Sequence, residues 1–219
     1  MEQNLGKICS FTVDRETNIG YMLTDGKNEY FLHRNESNYQ RLLPNDVVKA
    51  FIYADKKGRI AATLHLPKAT IDQIGFSEVA GINKQIGLFL NIGISKDVLL
   101  SVDDLPEDQT IWPQEGDQLL IRLKVKGGRL VAKIVTKDEI LEAAKEKKIE
   151  INDQVNGYVY RITKDGINLV TTDFAVIFVY YTNLRKKYRL GELVEVTITR
   201  INDDDYSGTT IQQKEIVIK

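Results

Sequence analysis

The sequence predicts an all-β protein of three tandem five-stranded barrels, with a short helical linker before the third. One strand-turn-strand pattern recurs three times at a spacing of roughly 70 residues, and repetition at that scale indicates small domains in series. In each copy a glycine opens the second apolar run, at Gly20, Gly87 and Gly166. The 219 residues of the chain are enough for three such units, and small barrels are stable at that size.

The first unit is predicted to span residues 1–66. Its apolar runs have strand length and lie at residues 6–13, 19–23, 30–32, 47–53 and 59–64. Asp25-Gly26 separates the second run from the third, and this dipeptide favours a tight hairpin because both central positions tolerate positive φ. A short helix or turn is predicted to end at Pro44. Five short strands with a helical turn after the third are typical of the oligonucleotide/oligosaccharide-binding (OB) barrel.

The second unit (67–136) and the third unit (151–219) follow the same plan, and residues 137–150 are predicted to form the helical linker. Thr136 and Glu139 have the spacing of a capping box, which predicts that a helix begins there. The apolar residues that follow fall on about one face, and the helix is predicted to end near Lys148. We interpret it as a packed spacer.

Charge and cysteine content exclude several classes of protein. The chain carries 30 Lys and Arg residues against 31 Asp and Glu. Because this balance also holds in each predicted unit, tight nonspecific binding to a polyanion is not expected. The single cysteine, Cys9, cannot form an intramolecular disulfide, and neither a secretory signal nor a long apolar run is recognisable. We therefore expect a cytoplasmic protein that does not bind a membrane.

The second and third strands of an OB barrel usually present the ligand-binding face. In the first unit, Tyr21 or Met22 on the second strand and Phe31 on the third are candidates for stacking on bases. His33 follows Phe31 by two residues, so both side chains point to the same side of the strand. The alternatives are a core position for Phe31 and a structural hydrogen bond for His33.

The last hairpin of the first unit carries Asp55 and Arg59. Arg59 is a candidate for a phosphate contact. The two residues are also spaced as a cross-hairpin ion pair, which contributes little stability at a surface. Both interpretations can hold together, because an aspartate can keep an arginine oriented toward a ligand.

The second unit retains only part of this set. It has Phe89 and Arg129 at matching places, but Ser101 replaces the histidine and Val125 replaces the aspartate. Trp112, the only tryptophan, is interpreted as a packed loop anchor, with a base-stacking platform as the alternative.

The third unit departs further from the first. Phe178 and Tyr180 are its candidate contacts, and no arginine occurs in its last hairpin. A basic segment interleaved with an aromatic suits phosphate contact and stacking, and it contains Arg185, Lys186, Lys187, Tyr188 and Arg189. A solvated connection is the alternative interpretation of this segment.

No catalytic or metal-binding pattern is present in the sequence. We find no phosphate-binding glycine loop, no His/Cys cluster at zinc spacing, and no nucleophile signature with a partner histidine. The acidic run from Asp203 to Asp205 lacks the ligand spacing of a calcium loop and is interpreted as a turn. We therefore expect a noncatalytic protein without a metal or cofactor.

The first unit resembles the S1 RNA-binding domain family. The resemblance lies in Gly20, Phe31-Leu32-His33, Asn45-Asp46, and the Asp55-to-Arg59 spacing. In the second unit, the segment from Gly93 to Asp117 resembles the bacterial conserved virulence factor B (CvfB/YitL-like) family, and this match is more specific. The resemblance covers essentially the whole chain as three consecutive S1-type domains.

The resemblance implies a cytoplasmic RNA-binding protein that influences gene expression. Carried over by position, the binding face comprises Tyr21, Met22, Phe31, His33, Asp55 and Arg59, with Phe89, Arg129, Phe178 and Tyr180 in the later units. Met22 stands where an aromatic is usual, so weaker stacking is expected there. Family members usually continue into a C-terminal winged-helix domain, and we expect this sequence to stop before it, as a truncation or as a short natural relative.

Together, these features predict a noncatalytic protein that binds single-stranded RNA. The alternative is an OB-fold scaffold that binds a protein partner and has incidental nucleic-acid affinity. Near-neutral charge and the loss of ligand-type residues in the second and third units favour that alternative.

Overall fold

The computed structural model describes residues 4–145 and 148–212, which form three closed five-stranded barrels. The first contains β1 (Ile8–Thr17), β2 (Gly20–Thr24), β3 (Glu29–His33), β4 (Val47–Ala54) and β5 (Ile60–Thr63). The second contains β6 (Gly75–Asn83), β7 (Gly87–Asn91), β8 (Val98–Ser101), β9 (Gln118–Lys126) and β10 (Arg129–Ile134). The third contains β11 (Gln154–Ile162), β12 (Gly166–Val170), β13 (Val176–Tyr180), β14 (Leu193–Ile201) and β15 (Tyr206–Thr209). The prediction of three tandem barrels is confirmed. The predicted domain limits fall in connecting segments, and they stay predictions.

All three barrels share one topology. The first three strands form an antiparallel meander, and the barrel closes through a parallel pairing between its third and fifth strands. The register pairs that close the three barrels are Phe31–Ala61, Leu99–Val131 and Phe178–Ser207. A short 3-10 turn follows the third strand in each case. This arrangement is the OB fold.

The predicted β2–β3 hairpin forms around Asp25-Gly26, but its turn runs from Asp25 to Asn28, and of the predicted pair only Gly26 has a positive φ. The Asp25 Oδ1 atom accepts hydrogen bonds from the backbone N–H groups of Asn28 and Lys27, at 2.7 and 2.9 Å. These bonds to the charged form hold the pKa of Asp25 at about 2. Gly26 takes a φ of 87°, which a residue with a Cβ adopts only with strain.

The glycine that opens the second strand has a steric explanation. A Cβ added at Gly20 would lie 2.1 Å from the backbone oxygen of Leu32 on β3. The corresponding distances at Gly87 and Gly166 are 2.0 and 2.1 Å. A side chain here would push β2 away from β3 next to His33, so the glycine permits the pairing on which the candidate face depends.

Helix α1 (Lys137–Ala143) connects the second and third barrels. The predicted capping box is present, because the Thr136 and Glu139 side chains each accept a hydrogen bond from the other's backbone N–H. The helix is shorter than predicted: it ends at Ala143, since Ala144 has extended backbone torsions, and it does not reach Lys148. Residues 146 and 147 lie outside the described ranges.

The first and second barrels meet through the loop between β7 and β8. The Ser95 Oγ atom lies 3.3 Å from the Tyr53 hydroxyl, within hydrogen-bond distance. The Lys96 Nζ atom donates to the backbone oxygens of Ala54 and Asp55, at 3.0 and 3.2 Å. Tyr53 is buried in this contact. The last hairpin of the first barrel is therefore held directly against the second barrel.

The second and third barrels meet through a paired arginine. The Arg189 Nε and Nη2 atoms donate to the two carboxylate oxygens of Asp117, at 2.8 and 2.9 Å. Beside this pair, the Leu190 N–H donates to the backbone oxygen of Ile111 at 2.9 Å. Because the Asp117 side chain is mostly buried, the pair is a structural contact between barrels.

Within residues 4–145 and 148–212, no helical segment has the length and hydropathy needed to cross a bilayer.

We predict that Arg189→Ala destabilises the protein by roughly 2 kcal/mol, because it leaves a mostly buried Asp117 carboxylate without its partner. Arg15→Ala is the control, since Arg15 pairs with Glu29 where both side chains are about half exposed, and such a surface pair contributes little. Thermal unfolding followed by circular dichroism measures both variants. Equal shifts in the two variants would contradict the assigned role of Arg189.

We also predict that Gly20→Ala lowers the free energy of unfolding by roughly 2 kcal/mol, because the new Cβ would overlap backbone on β3. Gly81→Ala is the control, because Gly81 also lies in a strand and its nearest neighbours are at 3.8 Å. Urea unfolding of the two variants tests the steric argument. A Gly20→Ala protein as stable as Gly81→Ala would refute it.

Candidate nucleic-acid interface

The outward face of β2 and β3 in the first barrel brings together three of the predicted residues. Met22 pairs in register with Phe31, and Gly20 pairs with His33. Met22 and Phe31 are half-buried and His33 is exposed, so all three point away from the barrel core. The Phe31 and His33 rings meet edge to face, with centroids 6.1 Å apart. Phe31 is therefore not a core residue, which resolves the alternative left open by the sequence.

Tyr21 does not belong to this face, and its assignment as a ligand contact is corrected. It is 1% exposed and points into the core, because alternation along β2 turns it away from Met22. Its hydroxyl accepts a hydrogen bond from the backbone N–H of Leu42 at 3.4 Å. The Arg34 guanidinium lies 5.5 Å from its ring centroid, within range of a cation–π contact.

His33 has a structural role in addition to its exposure. Its Nδ1 atom accepts a hydrogen bond from the backbone N–H of Asn35 at 3.1 Å and so caps the following 3-10 turn. This bond fixes the ring, and because Nδ1 is the acceptor, the imidazole N–H is on Nε2. Ser101 caps the equivalent turn in the second barrel with its Oγ atom, whereas Tyr180 in the third gives no side-chain cap.

Asp55 and Arg59 form the predicted cross-hairpin ion pair. The Arg59 Nη2 and Nε atoms lie 2.7 and 2.9 Å from Asp55 Oδ2. Desolvation raises the pKa of Asp55, but hydrogen bonds from the Arg59 backbone and side chain and from the Lys57 backbone outweigh it, and the net pKa is lowered. The carboxylate therefore stays ionised and holds the guanidinium, and the Arg59 side chain remains 72% exposed.

A further cation lies beside this hairpin and was missed by sequence reasoning. Lys96 comes from the second barrel, and it lines a cavity of about 260 Å³ together with Lys56, Lys57 and Arg59 of the first. No signal in the sequence links Lys96 to the first unit, because the contact depends on how the two barrels pack.

In the second barrel, Phe89 is half-buried on the outward face and pairs with the aliphatic Leu99. Arg129 is exposed at the last hairpin, as predicted. It pairs in register with Lys126, so Lys126 rather than Val125 occupies the position equivalent to Asp55. This register pair therefore consists of two cations and no acid.

Trp112 is 5% exposed, and its Nε1 atom donates to the backbone oxygen of Pro106 at 2.8 Å. It is a loop anchor, in agreement with the interpretation preferred from the sequence.

In the third barrel, Phe178 is half-buried and Tyr180 is exposed, with ring centroids 4.7 Å apart in an edge-to-face arrangement. The acidic hairpin that follows β14 engages the linker helix: the Lys137 Nζ atom lies 3.0 Å from Asp204 and 2.7 Å from Asp205. Among the described residues, no group of His, Cys, Asp and Glu side chains is arranged to hold a metal ion.

The predicted basic segment does not form a continuous phosphate-binding strip. The Arg189 guanidinium forms a bidentate ion pair with Asp117 of the second barrel. The assignment of Arg189 as a phosphate contact is therefore corrected. Lys186 pairs with Glu192 at 2.6 Å and also lies 4.9 Å from the Tyr188 ring centroid. Arg185 and Lys187 are exposed, and their assignment stays a prediction.

Two family models match the chain. One, described as the S1 domain, matches residues 5–65, and the other, described as the CvfB first S1-like domain, matches residues 74–133. The first match coincides with the first barrel, and the second match lies on the second barrel.

Two curated relatives are similar over most of the chain. The uncharacterized protein YitL of Bacillus subtilis (strain 168) is 33% identical over 201 residues, which cover 91% of this chain and 67% of that protein. Conserved virulence factor B of Staphylococcus aureus (strain N315) is 30% identical over 158 residues, which cover 70% of this chain. The chain matches only about half of that protein's length, 52%.

A solved structure supports the fold. It is described as a multidomain protein with nucleic acid binding domains from Streptococcus pneumoniae TIGR4, and it superposes with a TM-score of 0.80 at 24% identity. The match covers 96% of this chain and 75% of that one. The match to YitL covers 91% of this chain, and S1-type family models match two of its barrels. This chain therefore belongs to the conserved virulence factor B and YitL-like family of S1-domain proteins.

Proposed function

We propose that this protein is a noncatalytic RNA-binding protein that holds single-stranded RNA and influences gene expression. The observation that carries the proposal is the outward β2–β3 face of the first barrel, where Met22, Phe31 and His33 lie together. A flat ring that is half-exposed on a rigid strand can stack on any of the four bases. Single-stranded RNA offers unpaired bases for such stacking.

The cations around this face suit a phosphate backbone. Arg59 is held by Asp55 and keeps most of its surface exposed, so little conformational freedom is lost when it meets a phosphate. Lys56, Lys57 and Lys96 surround the adjacent cavity. The positive charge is thus local to one edge of the barrel, which fits a chain whose overall charge is near zero.

The fixed contact between the first two barrels supports binding across more than one barrel. Lys96 belongs to the second barrel yet lies beside Arg59 of the first, so a strand leaving the first site meets the second barrel without crossing a flexible linker. Rigid linkage raises the effective concentration of the next site for a bound strand.

The descriptions of similar proteins support this proposal. Neither matched family model describes a catalytic domain, and the similar S. pneumoniae structure is described as having nucleic acid binding domains. We place the protein in the cytoplasm, where Cys9, which has no second cysteine to pair with in this sequence, stays reduced.

A protein-binding scaffold is the second candidate. The observation that favours it is the pairing of arginines near the candidate face: Arg15 with Glu29 at 2.9 Å and Arg34 with Glu16 at 3.0 Å. Such pairs reduce the positive potential that a polyanion would meet. If the protein is such a scaffold, substitutions on the β2–β3 face are expected to leave RNA affinity unchanged.

We predict that His33→Ser weakens RNA binding without changing thermal stability. Serine caps the equivalent turn in the second barrel at Ser101, so the variant keeps the structural hydrogen bond and removes only the imidazole. His33→Ala, which also loses the cap, is expected to lower both affinity and stability. Fluorescence anisotropy with a labelled oligouridylate, together with a melting curve, separates the two roles. Wild-type affinity in His33→Ser would mean that the imidazole does not contact RNA.

We further predict different signatures for Phe31→Ala and Arg59→Ala. Loss of a stacking ring costs about 1–3 kcal/mol per base and leaves the salt dependence unchanged. Loss of one phosphate contact on a single strand lowers the slope of log K against log salt by about 0.7. Lys49→Ala, an exposed β4 substitution that removes the same charge, is the control for Arg59. If Arg59→Ala and Lys49→Ala gave the same slope, Arg59 would have no specific contact.

A further inference from the structure

We propose that the turn leading into β4 of the first barrel, residues 43–47, is a docking site for another protein that presents an arginine next to an apolar residue. An interface inside the chain carries this inference, because the equivalent turn of the second barrel holds an arginine of the third barrel in this way. The proposed site is separate from the β2–β3 face and does not depend on what binds there.

The turn that opens the fourth strand is built in the same way in all three barrels. In the first, Asn45 has a positive φ of 73° and donates its backbone N–H to the oxygen of Val13. The corresponding pairs in the other two barrels are Gly116–Val79 and Gly191–Val159. The next residue is an acid whose side chain accepts a hydrogen bond from the backbone N–H three residues earlier. These acids are Asp46, Asp117 and Glu192.

In the second barrel this carboxylate binds a side chain of another domain. Arg189 donates to both oxygens of Asp117, at 2.8 and 2.9 Å, while Asp117 also accepts the N–H of Gln114 at 2.7 Å. Beside the pair, Leu190 is buried and its N–H donates to the oxygen of Ile111. The aspartate of this turn can therefore hold its own turn and receive a bidentate arginine at the same time.

The first-barrel turn has the same carboxylate without such a partner. Asp46 is exposed, and it forms no ion pair with any residue in the ranges 4–145 and 148–212. The apolar side chains on either side of it are also exposed, Leu43 to 57% and Val47 to 72%. The first barrel thus leaves open the kind of surface that the second barrel covers with the third.

The residues of the first-barrel turn match the aspartate side of that interface. A Cβ added at Gly191 would lie 3.0 Å from the Cβ of Asp117, so the arginine side needs a glycine where the two turns approach. A Cβ added at Gly116 would meet nothing within 4 Å. Asn45 is therefore compatible with the position of Gly116 and not with that of Gly191. The first-barrel turn is suited to receive an arginine.

The surface beside the turn favours a basic partner and disfavours a nucleic acid. A cavity of about 500 Å³ is lined by Val47, Asp14 and Asp25, among others. Asp14 pairs with Arg15, whereas backbone hydrogen bonds hold the pKa of Asp25 at about 2 and keep it ionised. Asp25 and Asp46 would repel a phosphate backbone. They would attract an arginine, while Val47 offers apolar contact to the residue next to it.

The first test uses a capped peptide with the sequence of residues 188–191, Tyr-Arg-Leu-Gly, added to the full chain. Nuclear magnetic resonance of the backbone amides is expected to show saturable shifts at residues 43–47. Asp46→Asn keeps an oxygen that can accept the Leu43 N–H and removes the charge, so it should weaken binding roughly tenfold while the turn stays folded. The same peptide with glutamine in place of arginine is the control. No saturable shift at this turn, or equal affinity for wild type and Asp46→Asn, would overturn the proposal.

The second test identifies the occupant in the cells that make the protein, with a photoreactive benzophenone side chain in place of Val47. The same side chain in place of Leu193 is the matched control, because Leu193 is the third-barrel equivalent and is 53% exposed. The acid before it, Glu192, is already held by Lys186 and Arg189.

We expect a protein adduct that forms only from position 47, that is lost in Asp46→Asn, and whose crosslinked peptide contains an arginine next to an apolar residue. An RNA adduct, an adduct with a second copy of this chain, or no adduct would overturn the assignment. Asp46→Asn should leave oligouridylate affinity unchanged, and His33→Ser/Arg59→Ala should leave peptide binding unchanged. Failure of the docking site and failure of the proposed RNA site are therefore distinguishable. Reduced RNA affinity in Asp46→Asn would assign the turn to RNA and overturn the docking site.

Discussion

The close approach of a strand-opening glycine to the carbonyl of the neighbouring strand sets the register on which the candidate face depends. Gly20 lies against the Leu32 carbonyl, and with that register Met22 and Phe31 face outward together while Tyr21 faces the core. A shift of one residue would exchange these sets. The recurrence of this glycine contact in all three barrels explains why the outward β2–β3 positions correspond from barrel to barrel, even where the residues at those positions have changed.

Equivalent positions have acquired different tasks in the three barrels. The last hairpin presents the ion-paired Arg59 in the first barrel and two cations in the second, but in the third it is acidic and binds Lys137 of the linker helix. The position of Tyr53 serves the contact with the second barrel, whereas its third-barrel equivalent is the exposed Arg200.

Much of the fold could be predicted from the sequence, because its determinants are local. The repeated glycines, the Asp25-Gly26 turn and the Thr136 capping box each specify structure within a few residues, and each is present as expected. Helix α1 ended earlier than its apolar pattern suggested. Element ends depend on packing as well as on periodicity, which explains why the ends were predicted less well than the elements themselves.

The candidate site was less predictable, because its errors arise from register and from contacts between barrels. Tyr21 and Met22 are adjacent, and only the pairing with β3 decides which of them faces outward. Arg189 looked available for a phosphate, but its partner Asp117 is distant in sequence and lies in another barrel.

The central claim is that single-stranded RNA contacts the outward faces formed by the second and third strands. The most direct measurement is ultraviolet crosslinking of RNA to the full-length chain, followed by mapping of the crosslinked peptides by mass spectrometry. We expect crosslinks within β3 at Phe31 to His33 and within β13 at Phe178 to Tyr180. Crosslinks confined to other surfaces, or the absence of crosslinks under conditions where RNA binds, would contradict this claim.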